Sequence, residues 1–222
     1  MDLESFRAKL ESSMISTVYG SQYNGFWAWK IEVEASGREH ILDEGHRDEA
    51  ARKLLNILPG WQTYRGVDCN YYKWLPASLS SMADAYGQIR NQTLLDFGKI
   101  PVEPLELIWH ELGRVKTTSG KRDGLGEYYV IAVCKPLMFM WGQTPAFDSV
   151  NRDELCISYG GSWLFEWWVH ELEDLQKKLL KDPAIVAYCK EKALEIYGSD
   201  YVVPYGRLLD IYYYDTCYRK CE

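Results

Sequence analysis

Two short stretches carry side chains that could do acid–base or ligand-gripping chemistry. The first is Lys135 to Arg152, KPLMFMWGQTPAFDSVNR, in which a lysine heads an apolar run that ends at Gly142. The chain then passes Pro145 and delivers Phe147, Asp148 and Ser149. The second is Arg207-Leu-Leu-Asp210, a guanidinium and a carboxylate one helical turn apart, off the side that carries Tyr205, Leu208 and Tyr212. If Lys135, Asp148, Arg207 and Asp210 met in a polar cleft, with Arg152 beside them, each would perturb the protonation of the others. Asp148 is then the candidate catalytic carboxylate, and the cations and Asp210 are binding candidates. A structural role competes at each position. Asp148 and Ser149 are both good N-caps for a following helix. Arg207 and Asp210 could form an intrahelical pair worth only a few tenths of a kcal/mol.

A repeated phrase suggests metal chemistry and then fails on periodicity. Glu106-Leu-Ile-Trp-His110-Glu111-Leu112 resembles Glu166-Trp-Trp-Val-His170-Glu171-Leu172. Each places Glu and His at i and i+4, and two such helices face to face could build a carboxylate–histidine dimetal site. The apolar stripe of the second helix, however, is Leu164, Trp168, Leu172, Leu175 and Leu179. At about 100° per residue, His170 falls opposite that stripe. His110 likewise falls opposite Leu105, Ile108, Trp109 and Leu112. Both pairs are therefore read as solvated faces, and no metal or other cofactor is expected. Gly120-Lys121 lacks P-loop spacing, and neither G-x-S-x-G nor H-E-x-x-H occurs.

The segment from Asp123 to Ser149 resembles the helix-hairpin-helix DNA glycosylases. Asp-Gly124-Leu-Gly126, an apolar helix, Gly142, Pro145 and Phe-Asp148-Ser follow the family's order of a G-h-G hairpin, then G-x-P and an aspartate. The resemblance implies that Gly124 and Gly126 would meet a phosphate backbone and that Asp148 would be the essential carboxylate. Lys116, Lys121 and Arg122 lie just before the hairpin, where backbone contacts would be made. The match departs from the family at Tyr128, where bifunctional members carry lysine. Pro136 interrupts the intervening helix, no histidine follows the aspartate, and no iron–sulfur cysteine cluster follows. A similar lysine-headed apolar helix, proline, aromatic-Asp-Ser and late Arg-h-h-Asp also occurs in uncharacterised helical prokaryotic proteins. Together the resemblances cover about 50 residues.

The elements that must position these residues read mostly as helices. Apolar spacing predicts helices over 3–18, Asp48 to Leu58, Ser78 to Ile89, Pro104 to Val115, Ser162 to Leu180, Ala184 to Tyr197 and Pro204 to about Arg219. Asp48 reads as an N-cap, and Gly198 closes the helix before it. Residues 61–76 read as irregular, with turns at Gly66 and Pro76, and 116–126 as a loop. Phe26 to Val33 alternates and reads as a strand, although a helix also fits. Tyr128 to Val133 has strand propensity, with a helix begun at Pro136.

The fold class is therefore mainly α, one compact multi-helix domain over residues 1–222, with a small sheet from 26–33 and 127–134 making it α+β. A 222-residue chain with 47% hydrophobic and 26% charged residues can bury a substantial core. A net charge of −7 argues against a dedicated nucleic-acid binder. No apolar run approaches the roughly 18 residues of a membrane span, and the N-terminus lacks a signal-peptide pattern, so a cytoplasmic location without membrane partners is expected. Six scattered cysteines, Cys217 and Cys221 included, read as small buried hydrophobes or free thiols. Nine Trp and seventeen Tyr imply a large aromatic core or a groove that grips a ligand. The function expected first is a binding or interaction protein with aromatic-lined surfaces and a protein or small-molecule partner. The alternatives are a helix-hairpin-helix-like nucleic-acid protein or glycosylase, with DNA as partner, and a carboxylate-based hydrolase or transferase.

Overall fold

A computed structural model describes residues 1–13, 18–61, 63, 71–114, 128–158, 161–198 and 202–219. In chain order it contains α1 (Leu3–Ser13), α2 (Val18–Glu34), α3 (Arg47–Ile57), α4 (Tyr71–Ser81), α5 (Ala83–Ile89) and a 3-10 helix (Leu94–Lys99). There follow α6 (Val102–Arg114), β1 (Tyr128–Tyr129), α7 (Val130–Trp141), α8 (Ser149–Glu154), β2 (Ser162–Trp163), α9 (Phe165–Leu180), α10 (Pro183–Tyr197) and α11 (Tyr205–Arg219). The molecule is mainly helical with one small antiparallel sheet, as the sequence predicts. Among the described residues no helix is long and apolar enough to cross a membrane.

The architecture is organised around α7. Every residue of this helix except Ile131 is buried, and its flanks are taken by α2 and α6. A helix apolar on all sides has to be enclosed, and Lys135 is the only charged residue in it. This all-round burial also explains a sequence-level error. Val130, Ile131 and Val133 have strand propensity, yet the helix begins at Val130 and runs through Pro136. Proline there removes the bond to the Ala132 carbonyl, a local cost that burial of eleven side chains outweighs. The helix ends at Gly142, whose φ of 73° closes a left-handed cap with N–H to the Met138 carbonyl at 3.0 Å.

The strand expected over Phe26 to Val33 is helical instead, the second half of α2. Its buried positions include Tyr23, Phe26, Trp27, Lys30 and Glu34, a helical stripe that two charged residues disguise. The sheet accordingly has a different partner: Tyr128 pairs with Trp163 and Tyr129 with Ser162. The expected helix start at Ser162 is therefore β2, and α9 begins at Phe165. Pro76 marks no turn but lies inside α4, where Leu75, Ser78 and Leu79 face the core. The helix expected over Ser78 to Ile89 is split at Met82 between α4 and α5. Asp48 sits in the first turn of α3 rather than at its cap, which is His46. The N-cap of α10 is Asp182, which accepts from the Ile185 N–H, and the predicted end at Gly198 holds, with φ 64°.

His40 packs edge-on against the Tyr86 ring, with centroids 5.5 Å apart. The Leu42 N–H donates to its Nδ1 at 3.2 Å, which leaves the hydrogen on Nε2, 3.1 Å from Asp43 Oδ1. Burial lowers its pKa below 6.5, with Arg90 acting in the same direction and Asp43, Glu34 and Asp84 opposing. The folded state thus binds the proton more weakly than the unfolded chain. His40 contributes no loss above about pH 6.5, and stability falls as pH drops below it. Thermal unfolding between about pH 7.5 and about pH 5.5 should show a steeper loss in the wild type than in His40→Asn. Equal slopes would remove His40 from the acid response.

Candidate functional site

The site is built on the turn between α7 and α8 and on the first two turns of α11. Gln143 fixes the turn from inside. Its Oε1 accepts from the Leu94 N–H at 2.8 Å, and its Nε2 donates to the Val203 carbonyl at 2.9 Å. Trp168 Nε1 donates to Thr144 Oγ1 at 3.2 Å, tying α9 to the same turn. Phe147 then adopts φ 48°, uncommon for a residue with a side chain, while its ring is buried 5.1 Å from that of Trp163. This strained corner turns the chain so that Asp148 becomes the N-cap of α8, accepting from the Asn151 N–H at 3.1 Å.

Helix α11 approaches this turn backbone to backbone. The Arg207 N–H donates to the Gly142 carbonyl at 3.1 Å. A Cβ on Gly206 would stand 2.2 Å from the Gln143 carbonyl carbon and 2.3 Å from the Thr144 nitrogen. Neither atom is the end of a flexible side chain, so the turn itself would have to move. Gly206→Ala is expected to cost the upper end of about 1–3 kcal/mol in denaturant unfolding. A loss no greater than about 0.5 kcal/mol, the scatter of a neutral surface change, would contradict this seating.

The consequence is that Lys135, Asp148, Arg207 and Asp210 are brought together. Asp210 accepts from Arg207 Nη1 at 2.5 Å, from Asn151 Nδ2 at 2.5 Å and from the Ala146 N–H at 2.9 Å. It is the hub that joins α11, α8 and the turn. The Arg207 guanidinium lies between two rings, 5.0 Å from the Tyr23 centroid and 5.1 Å from that of Trp61. Lys135 reaches the same wall, donating from Nζ to the Trp61 carbonyl at 2.5 Å. Arg207, Asp210 and Lys135 are all buried, and Asn151 is completely so. The Arg207–Asp210 pair expected from spacing therefore exists, but in the interior.

The electrostatics follow from that burial. Desolvation pulls the Lys135 pKa down, with Asp148 and Asp210 opposing and Arg207 adding to the fall. Desolvation also pushes the Asp148 carboxyl up, Asp210 adds to the rise, and the Asn151 N–H and Lys135 oppose it. These are the mutual perturbations expected of a converging cluster. Five buried side-chain polar atoms lack a hydrogen-bond partner among the described residues, and two belong to this cluster: Arg207 Nε and Asn151 Oδ1.

The remaining sequence candidates divide. Arg152 is half-buried on α8, and its Nε donates to the Asp148 carbonyl at 3.4 Å. Lys121, Arg122, Gly124 and Gly126 lie outside the described residues, as do Lys116, Cys69 and Cys221. Three participants escape sequence reasoning. Asn151 could have been suspected as the polar residue three past a capping aspartate. Tyr23 lies just before the stretch read as a strand and forms no motif with it, and Trp61 contributes a ring face and a carbonyl, which leave no motif either.

The repeated Glu–His phrases stay outside. His110 Nε2 lies 3.7 Å from Glu106 on an exposed face, and exposed His170 is 3.7 Å from Asp174. The inner faces of α6 and α9 do meet, through stacked Trp109 and Trp168 rings 5.3 Å apart. Among the described residues no three His, Cys, Asp or Glu side chains form a group able to hold a metal ion. Cys134 and Cys189 are buried and Cys156 is exposed. Five of the tryptophans, Trp27, Trp109, Trp141, Trp163 and Trp168, are core. No protein-family model, curated protein or solved structure matches the chain.

Proposed function

We propose that the chain is a ligand-binding protein whose site is the Lys135–Asp148–Arg207–Asp210 cluster walled by Tyr23 and Trp61. The observation that supports it is a pair of buried polar atoms, Arg207 Nε and Asn151 Oδ1, without a hydrogen-bond partner among the described residues. Interiors rarely leave such atoms alone, because each costs about 1–3 kcal/mol. A polar ligand would satisfy both, and the ring of Trp61, which is only partly buried, would cover a planar part of it. The test is the indole N–H resonance of Trp61, which donates to Gln22 Oε1 at 2.9 Å, followed during addition of adenosine, nicotinamide or benzoate. At least one is expected to shift it, together with the resonances of Asn151. Shifts confined to other parts of the molecule would overturn the reading.

A second reading is a helix-hairpin-helix-like DNA protein with glycosylase-type chemistry. It is favoured by the raised pKa of Asp148 beside a buried lysine, an arrangement suited to holding or releasing a proton. It expects salt-dependent DNA binding, and turnover abolished in Asp148→Asn with binding intact. No binding even at low salt would end it, and unchanged turnover would remove Asp148 from the role.

A further inference from the structure

The cluster's hydrogen bonds are unevenly spent, and the imbalance names a ligand chemistry. Asp210 is held by three donors, one on each of Arg207, Asn151 and Ala146. Asp148 is engaged by the first turn of α8. On the cationic side the opposite holds. Arg207 spends only Nη1 on Asp210, while Nε is buried with no partner among the described residues. Of the three ammonium hydrogens of Lys135, one goes to the Trp61 carbonyl.

A guanidinium held at Nη1 still presents its side edge, Nε–H and the adjacent Nη2–H, as two parallel donors. That fork matches the two oxygens of a carboxylate or phosphate and matches a single carbonyl poorly. The flanking rings of Tyr23 and Trp61 fix the guanidinium plane, so little rotational freedom remains to be lost on binding. Arg207 also sits near enough to Lys135 to disfavour the charge on its ammonium. An anion between them would relieve that repulsion.

We infer that the ligand carries an oxyanion, docked two-pronged on the Nε–Nη2 edge of Arg207 with the Lys135 ammonium as its second cation. This rests on the binding reading above and deepens it, since it assigns the charged end of the ligand. The planar end would lie toward Trp61, and Asn151 Oδ1 would accept from any donor the ligand presents.

The test uses the full chain labelled with nitrogen-15 and follows the Nε–H resonance of Arg207, assigned by its disappearance in Arg207→Lys. Sodium phosphate and sodium acetate are added in separate titrations, with sodium chloride at matched ionic strength as reference. A saturable shift with phosphate or acetate, absent with chloride, is expected, and the effective anion tells a phosphoryl from a carboxyl ligand. A shift that chloride reproduces, or one that never saturates, would overturn the inference. If Arg207→Lys does not fold, the wild-type titration with the three salts decides alone, the signal then being assigned through its contacts with the Tyr23 ring. Should adenosine or nicotinamide move the Trp61 indole while neither anion moves Arg207, the binding role stands and the oxyanion falls. Silence of Trp61 and Arg207 toward every probe removes both.

Discussion

Asp210→Ala is expected to cost about 3–5 kcal/mol, enough to leave little of the folded state in a domain of ordinary stability. The alanine would strand the buried Arg207 guanidinium, the Asn151 amide and the Ala146 N–H at once. The usual worth of an ion pair spaced i to i+3 on a helix surface is only a few tenths of a kcal/mol. Burial reverses that ranking, because the penalty is set by the charge left without a partner rather than by the pair itself. Denaturant unfolding should show a large fall in midpoint at unchanged m. A loss below about 1 kcal/mol would mean that Arg207 and Asp210 are solvated and that the enclosed cluster does not exist.

Glu34→Ala is expected to have an effect of the same size by the same logic, at a different place. Lys30 is completely buried in α2 and pairs with Glu34 Oε2. Glu34 Oε1 lies 2.9 Å from the Tyr86 hydroxyl and accepts from the Ile41 N–H at 3.2 Å. Removing the carboxylate leaves an ammonium in the core, costing about 3–5 kcal/mol. The paired change Lys30→Met/Glu34→Leu should recover most of the loss, since replacing a buried ion pair by apolar groups of similar volume is often neutral or stabilising. If the single variant keeps wild-type stability, Lys30 is not held as an ammonium in the fold.

These two ion pairs also mark where the sequence stops being legible. Helices α6, α9 and α10 carry apolar stripes against polar backs, so period and caps place them to within a few residues. Helix α2 does not, because Lys30 and Glu34 stand where its stripe demands apolar residues and Trp29, Ile31 and Val33 lie beside it half-buried. What remains looks like the alternation of a strand. Helix α7 fails for the opposite reason: buried on nearly every side, it has no periodicity to read, and Pro136 suggests a start six residues too late. The chemistry-bearing residues were nameable from local pattern, Asp148 from its turn and Arg207 with Asp210 from their spacing. Their meeting was not, because it depends on Gly206 letting α11 touch the Gln143–Thr144 backbone and on a left-handed Phe147. Both are properties of packing between segments 60 residues apart.

On the binding proposal, Lys135 and Asp148 serve a ligand and not the fold. Each is disfavoured in its charged form by burial, and Asn at 148 keeps the cap that Asp provides. The direct test is thermal unfolding of Lys135→Met/Asp148→Asn, a change close in volume that removes both charges, measured beside phosphate and acetate binding. The expected result is a midpoint equal to or above that of the wild type, with the anion response lost. A midpoint lowered by several degrees, about 1 kcal/mol or more for a chain of this size, would assign the pair to the fold and remove its ligand role.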